Sequence, residues 1–323
     1  MILKNQNFGQ RLTILTTTIS LLLSGLFSCN PGAKQTETEA PEEELEPVME
    51  IVTETMDFVM PDTIPSGWYV WKYQNNSNQT HFILIDEYPE QITIDSIRNK
   101  VLPVFGNGIT LINEGKTEEG FAEFGKLPAW FAEINWRGGV GLVSPGTTAE
   151  TILRLDPGVY FVECYVKMNT GMFHTNMGMI KKLVVSEEVS NLPEPIANLS
   201  IRLSNENGIV VSDPPSGPGF YIFGVHTDSQ KAHENFVFHD LNLVRLEDNA
   251  NLKDLEAWMD WRDPKGLIEP APEGFVFLGG VNDLPEGGSG YFSAELVPGK
   301  YAFISEVPNA SQKNLLYVFE ITQ

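Results

Sequence analysis

Cysteine and positive charge are what this sequence has least of. Its 323 residues hold two cysteines, Cys29 and Cys164, too few for a disulfide framework to stabilise the fold. Lys and Arg number 21 against 43 Asp and Glu, giving a formal net charge of −22. Nothing is left over to neutralise phosphates, which excludes nucleic acid as a partner. The same imbalance excludes a polybasic membrane patch. Catalytic signatures are missing too. There is no Walker loop, no Gly-x-Ser-x-Gly, no His-Glu-x-x-His and no dinucleotide fingerprint. Long amphipathic helical runs are scarce, so an all-helical fold is excluded as well.

The N-terminus is where the apolar residues concentrate. Lys4 and Arg11 precede an apolar run over residues 13–23, too short to span a membrane comfortably, and Leu26-Phe27-Ser28-Cys29 closes it. That closing tetrapeptide resembles the lipobox of bacterial lipoproteins. The resemblance implies a signal peptide over residues 1–28, lipidation of Cys29, and a location in the cell envelope, on the periplasmic side or outer surface of a bacterial membrane. Residues 29–50 follow as a tether. Seven Glu, one Lys, three Pro and few apolar side chains between 30 and 50 bury too little to order themselves. With the signal removed the chain carries about −24, enough to steer a basic partner protein or a cation.

The rest reads as β-structure. Aromatic and β-branched runs bounded by Gly, Pro and Asn occur at 67–73, 81–85, 159–162 and 182–185. Helical patches fall at 93–104 and 252–261, with a shorter turn at 117–124. The chain also repeats itself. Gly138-Gly139, Leu155, Pro157-Gly158 and Tyr160 recur as Gly279-Gly280, Leu296, Pro298-Gly299 and Tyr301, always 141 residues later. A constant offset through a strand-turn-strand stretch indicates duplication. The expected architecture is all-β, two tandem β-sandwiches over 51–190 and 198–323, joined by a Pro-punctuated linker at 187–198. Short helices occupy the connections.

With Cys29 consumed by lipid, Cys164 has no partner thiol, and an unpaired Cys in an exported protein is either buried or ligated. By strand alternation it shares a face with Tyr160 and Val162. It opens a segment containing His174 and Met179. One thiolate, one imidazole and one thioether make three quarters of a type 1 copper set, and His81 is a candidate for the second imidazole. The same offset of 141 puts Ser305 where Cys164 stands, so a second copy of the centre is not expected.

The residues around this set resemble those of cupredoxins. Pro157-Gly158-Val159-Tyr160-Phe161-Val162-Glu163-Cys164 is similar to the entry into the family's ligand loop. His174-Thr175-Asn176-Met177-Gly178-Met179 is similar to its exit, and Asn75-Asn76-Ser77-Asn78-Gln79-Thr80-His81 to the Asn-rich turn before the other His. The resemblance covers roughly 51–186, with a weaker echo in 198–323. It implies Greek-key sandwiches, copper held by His81, Cys164 and His174 in a plane with Met179 further off, and electron transfer to a redox partner without transformation of a substrate. The nine residues between Cys164 and His174 exceed the gap of small electron carriers and come close to that of the blue-copper domain of copper nitrite reductases. The 81–164 segment leaves room for an extra helix and loop around 94–127.

Other readings use the same residues. Met168, Met172 and Met177 beside His174 would suit Cu(I) capture by a chaperone or buffer. Cys164 and Met179 could simply be core, in a metal-free adhesion or binding lipoprotein. Six Trp (Trp68, Trp71, Trp130, Trp136, Trp258, Trp261) would then either present a binding face or fill the cores. His226, His233 and His239 in the second half fit no metal-ligand spacing rule. No His-x-His pair occurs, which argues against a two-centre oxidase.

Overall fold

The computed structural model describes residues 47–233 and 237–323. The signal segment, Cys29 and nearly all of the tether lie outside the described residues. Seven strands make the first half: β1 (Val48–Thr53), β2 (Thr63–Asn75), β3 (Leu84–Glu87), β4 (Asn135–Trp136), β5 (Thr148–Leu155), β6 (Gly158–Glu163) and β7 (Ile180–Val189). Eight make the second: β8 (Leu199–Ser204), β9 (Gly208–Ser212), β10 (Gly219–Thr227), β11 (Leu241–Leu246), β12 (Phe275–Val281), β13 (Ser289–Leu296), β14 (Gly299–Ile304) and β15 (Leu316–Ile321). The tether ends earlier than its composition suggests. Val48, Met49 and Glu50 pair in parallel with Val70, Trp71 and Lys72, because alternate residues from Met49 onward bury their side chains.

β2 bends between two layers. Its first residues, Thr63 to Ser66, pair with β7, and from Gly67 onward it pairs with β5. Gly67 sits at φ +104, a conformation only glycine adopts freely, so the bend falls there. One layer of the first half runs β4-β3-β6-β7, and the facing layer holds β1, β2 and β5. The second half repeats the plan with β12-β11-β14-β15 facing β13-β10-β8-β9. The two halves share a sheet, because β5 pairs antiparallel with β13 through Ile152–Tyr291 and Thr151–Phe292.

The 141-residue offset is structural. β5 and β13 begin and end 141 residues apart, and so do β6 and β14. The recurring glycines follow from packing. A Cβ on Gly139 would lie 1.8 Å from the Ile83 carbonyl oxygen, and one on Gly280 1.9 Å from that of Leu241. No larger residue fits either place. Tyr160 and Tyr301 each donate from the hydroxyl to a carbonyl four residues upstream, at Asp156 (2.8 Å) and Val297 (2.9 Å).

Helices α1 (Ile94–Lys100), α2 (Leu102–Asn113) and α3 (Thr117–Glu123) fill the 81–164 segment, and α5 (Leu252–Met259) lies in the second half. Thr93 caps α1 by accepting from the Ser96 N–H. α4 (His174–Met177) is one turn within the loop that runs from Cys164 to Met179.

Candidate metal centre

His81 leaves an Asn-rich turn held together by side-chain hydrogen bonds. The Asn75 amide donates to the carbonyls of Gln79 and Val143, both at 2.8 Å, which ties the turn to the strand opposite. Ser77 donates its hydroxyl proton to Asn75 Oδ1 at 2.7 Å and lies 2.9 Å from His81 Nε2. With its single proton committed, the Ser77 oxygen accepts from the imidazole, so Nε2 carries the hydrogen and Nδ1 is bare. Sequence reading did not single out Ser77. The Asn-rich turn was the available signal, and which of its side chains meets the ring depends on the folded turn.

Cys164 follows β6. Its N–H donates to the Met179 carbonyl at 3.3 Å, and its carbonyl accepts from Thr175 at 3.0 Å. The nine residues to His174 make a small hairpin. Lys167 bridges Phe173, Met168 N–H donates to the Met172 carbonyl at 2.8 Å, and His174 N–H to Val166 at 2.8 Å. The excursion folds back on itself and returns His174 to a place opposite Cys164. Met179 N–H closes the loop on the His174 carbonyl at 3.1 Å.

The three side chains converge. Cys164 Sγ lies 3.7 Å from His81 Nδ1 and 3.6 Å from His174 Nδ1, and the two Nδ1 atoms are 3.0 Å apart. Among the described residues this is the only group of three or more His, Cys, Asp or Glu side chains whose ligating atoms all lie within 4.8 Å of one another. His81, Cys164, His174 and Met179 are all fully buried. Burial pulls His174 down to about 4, and burial followed by the neighbouring His174 pulls His81 down to about 3. Both imidazoles are therefore neutral and offer lone pairs. Burial pushes the Cys164 thiol up to about 12, although the N–H groups of Phe82 and Val166 favour the thiolate. A buried thiol of this kind ionises when a metal cation supplies the missing charge.

The site is covered from two sides. From the first half, α2 packs over the loop: Asn176 donates to the Leu102 carbonyl at 2.7 Å, Asn113 to that of Thr170 at 2.9 Å, and Phe105 meets Phe173 edge-on. From the second half, residues 261–269 clamp it. Lys167 is 1% exposed and donates from Nζ to the carbonyls of Gly266, Asp263 and Trp261 at 2.8, 3.1 and 3.3 Å. Its backbone also pairs with Leu267 and Glu269. The other loop methionines lie outside the fully buried set: Met168 and Met172 are half-buried and Met177 is 50% exposed.

The second half keeps the frame and loses the donors. Ser305 N–H donates to the Leu315 carbonyl and Leu315 N–H to Ala310, the same two bonds that join Cys164, Met179 and His174. Ser305, Leu315 and Ala310 thus stand where those three stand. His239 matches His81 by its place before β11, and its Nε2 lies 2.9 Å from that of His233. His226 lies apart on β10, against Ser289.

Two facing sheets that bring one buried Cys and two buried His together, with Met179 buried at the close of the Cys164–His174 loop, give the first half a cupredoxin-like architecture, repeated without the donors in the second. Among solved structures, the chain is similar to dithionite-reduced auracyanin from Roseiflexus castenholzii (20% identity over 44% of this chain and 98% of that one, TM-score 0.26). It is similar to auracyanin A, a "blue" copper protein from Chloroflexus aurantiacus (20% identity over 43% and 98%, TM-score 0.27). It is also similar to the copper-containing nitrite reductase of Thermus scotoductus SA-01 (16% identity over 85% of this chain and 61% of that one, TM-score 0.22). Neither a family model nor a curated protein matches the sequence.

Proposed function

We propose that the protein holds one copper ion in its first half through His81, Cys164 and His174, with Met179 as the weak fourth donor, and serves electron transfer. The observation that carries this reading is the convergence of three donors from positions 81, 164 and 174 in a place closed to water. The donor set fits copper: a thiolate and two neutral imidazoles are what a type 1 site requires. Copper bound there would supply one-electron exchange between its two oxidation states.

The chain's own residues supply rigidity. Ser77 fixes the tautomer and orientation of His81. Two backbone bonds lock Met179 to both Cys164 and His174. Lys167 and α2 hold the loop from either side, so the donors have little room to rearrange. In this reading no substrate is transformed, and a redox partner docks on the outside. The second half acts as the buttress that carries the 261–269 clamp.

Lipidation of Cys29 belongs to the same reading. No helix among the described residues is long and apolar enough to cross a membrane, and the lipid would hold this acidic chain at the cell envelope. Metal analysis of purified protein tests the metal. One copper per chain is expected, lost in Cys164→Ser; zinc, or no metal in protein refolded with copper, would contradict it. The anchor is tested by fractionation: Cys29→Ala should release the chain from membranes, and unchanged retention would refute lipidation.

A further inference from the structure

A second group of ionisable side chains lies beside the metal-ligating cluster without belonging to it. A cavity of about 60 Å³ opens between the two halves. Its walls are largely aromatic: Tyr88, Phe105, Trp136 and Tyr165 from the first half, Phe238 and Trp261 from the second. Trp136 and Phe238 are partly exposed, whereas Tyr88, Phe105 and Tyr165 are buried, and the two rings meet edge to face at 5.4 Å.

Three carboxylates share this lining, Asp86, Asp283 and Glu306, and no Lys, Arg or His does. Asp86 is 3% exposed, and its Oδ1 has no hydrogen-bond partner. None of the three forms an ion pair among the described residues. Lys167, whose charge acts on Glu306, directs its hydrogens to backbone carbonyls instead. Burial favours the protonated form of these carboxyls, and a cation that takes the place of the Asp86 proton, released to solvent, would give its orphaned oxygen the positive partner that the lining lacks.

Two kinds of cation could supply it. A chelated metal ion needs oxygens that close on one point. The only ligating group in the described residues that converges within 4.8 Å is His81, Cys164 and His174, so the carboxylates of this cavity do not. An ammonium carrying methyl groups needs something else: aromatic faces for its methyls and a carboxylate for its charge. Those are the components of this wall. The volume admits only the head of such a ligand. We propose that this aromatic-lined cavity, beside Trp136 and Phe238, binds a methylated ammonium group, with Asp86 as its counter-ion. This is independent of whether copper occupies the neighbouring cluster.

Calorimetric and NMR titration of the full exported chain with tetramethylammonium and with choline tests the proposal, in copper-free and copper-loaded protein. Saturable binding on the order of millimolar or tighter is expected for both cations. The neutral isostere 3,3-dimethylbutanol should bind at least about tenfold more weakly, since it keeps the shape and loses the charge. Asp86→Asn and Trp136→Ala should each weaken choline by about tenfold or more. Trp136 is partly exposed, so its variant keeps the test available if Asp86→Asn does not fold. Absence of saturable binding, equal affinity for the neutral isostere, or displacement of choline by millimolar Mg²⁺ or Ca²⁺ would each overturn the proposal.

Discussion

Cys164 and Ser305 stand at the same point of the same repeated frame, each donating its N–H to the carbonyl of the residue that closes its loop, Met179 in one half and Leu315 in the other. Both are fully buried. One lies 3.7 and 3.6 Å from the Nδ1 atoms of His81 and His174, and the other donates to the buried Asp240 carboxylate at 2.6 Å. With Ser305, Ala310 and Leu315 in place of Cys164, His174 and Met179, the second loop keeps the backbone frame without any of the three donors. Ser305→Ala should therefore cost about 1–3 kcal/mol in urea unfolding, because it strips a donor from a buried carboxylate. It should leave copper stoichiometry unchanged. Loss of copper in that variant would mean that the halves do not divide their roles in this way.

Met179 and Leu315 occupy equivalent places, so the frame already accommodates Leu there. Met179→Leu should cost less than about 1.5 kcal/mol. It should retain copper and raise the reduction potential, because the axial donor tunes potential more than affinity. Loss of copper from this variant would make Met179 an obligatory ligand instead.

Lys167 joins the halves at the ligand loop through three carbonyls and lies 5.6 and 5.5 Å from the ring centroids of Phe173 and Trp261. Lys167→Met keeps much of the volume and leaves three carbonyls without their donor. A loss of about 2–4 kcal/mol is expected in chemical denaturation. Copper should also exchange faster with a chelator. A variant as stable as the parent, with unchanged copper release, would show that the clamp does not hold the loop.

Acid should stabilise the metal-free protein over part of the range. Burial, then the neighbouring Glu163 and Asp283, pushes Asp86 well above the usual carboxylate range. Burial does the same to Asp283 and to Glu306, each also raised by Asp240, and lifts Glu163 to about 7 against hydrogen bonds from Tyr165 and Tyr88. The folded chain keeps these protons where the unfolded chain has lost them. Their contribution is thus present at low pH and disappears as pH rises through the raised values. His81 and His174 act oppositely: lowered to about 3 and about 4, they cost stability only once the unfolded chain protonates its imidazoles, below its pKa of 6.5. Unfolding free energy should therefore rise from about pH 8 to about pH 6.5, and the gain should diminish below that. A flat or falling curve between those two values would contradict the assignment.

Much of the centre was legible in the sequence because its signals are local. Cys164, His174 and Met179 lie within sixteen residues, and the Asn-rich turn marks His81. Twofold periodicity marked the strands and the constant offset the duplication. What the sequence concealed depends on distant residues. The β5–β13 pairing joins positions about 140 apart, and nothing in either strand specifies its neighbour. The clamp of residues 261–269 on Lys167 is of the same kind. α2 runs to Asn113, beyond the expected end near 104, even though Gly106 and Gly108 lower its intrinsic propensity and so mask the continuation in the sequence. At least Gly108 has a packing reason: a Cβ there would press to 3.2 Å on the Gly120 carbonyl of α3.

The visible absorption spectrum of copper(II)-loaded protein tests the central claim most directly. Thiolate bonded to copper(II) in a His₂Cys field absorbs intensely in the visible. The oxidised protein should be coloured, lose the colour on reduction, and be colourless as Cys164→Ser, with His174→Ala broadening or abolishing the band. Copper-loaded protein without a Cys164-dependent visible band would contradict the account, leaving Cys164 a buried core thiol or the loop a Cu(I) store.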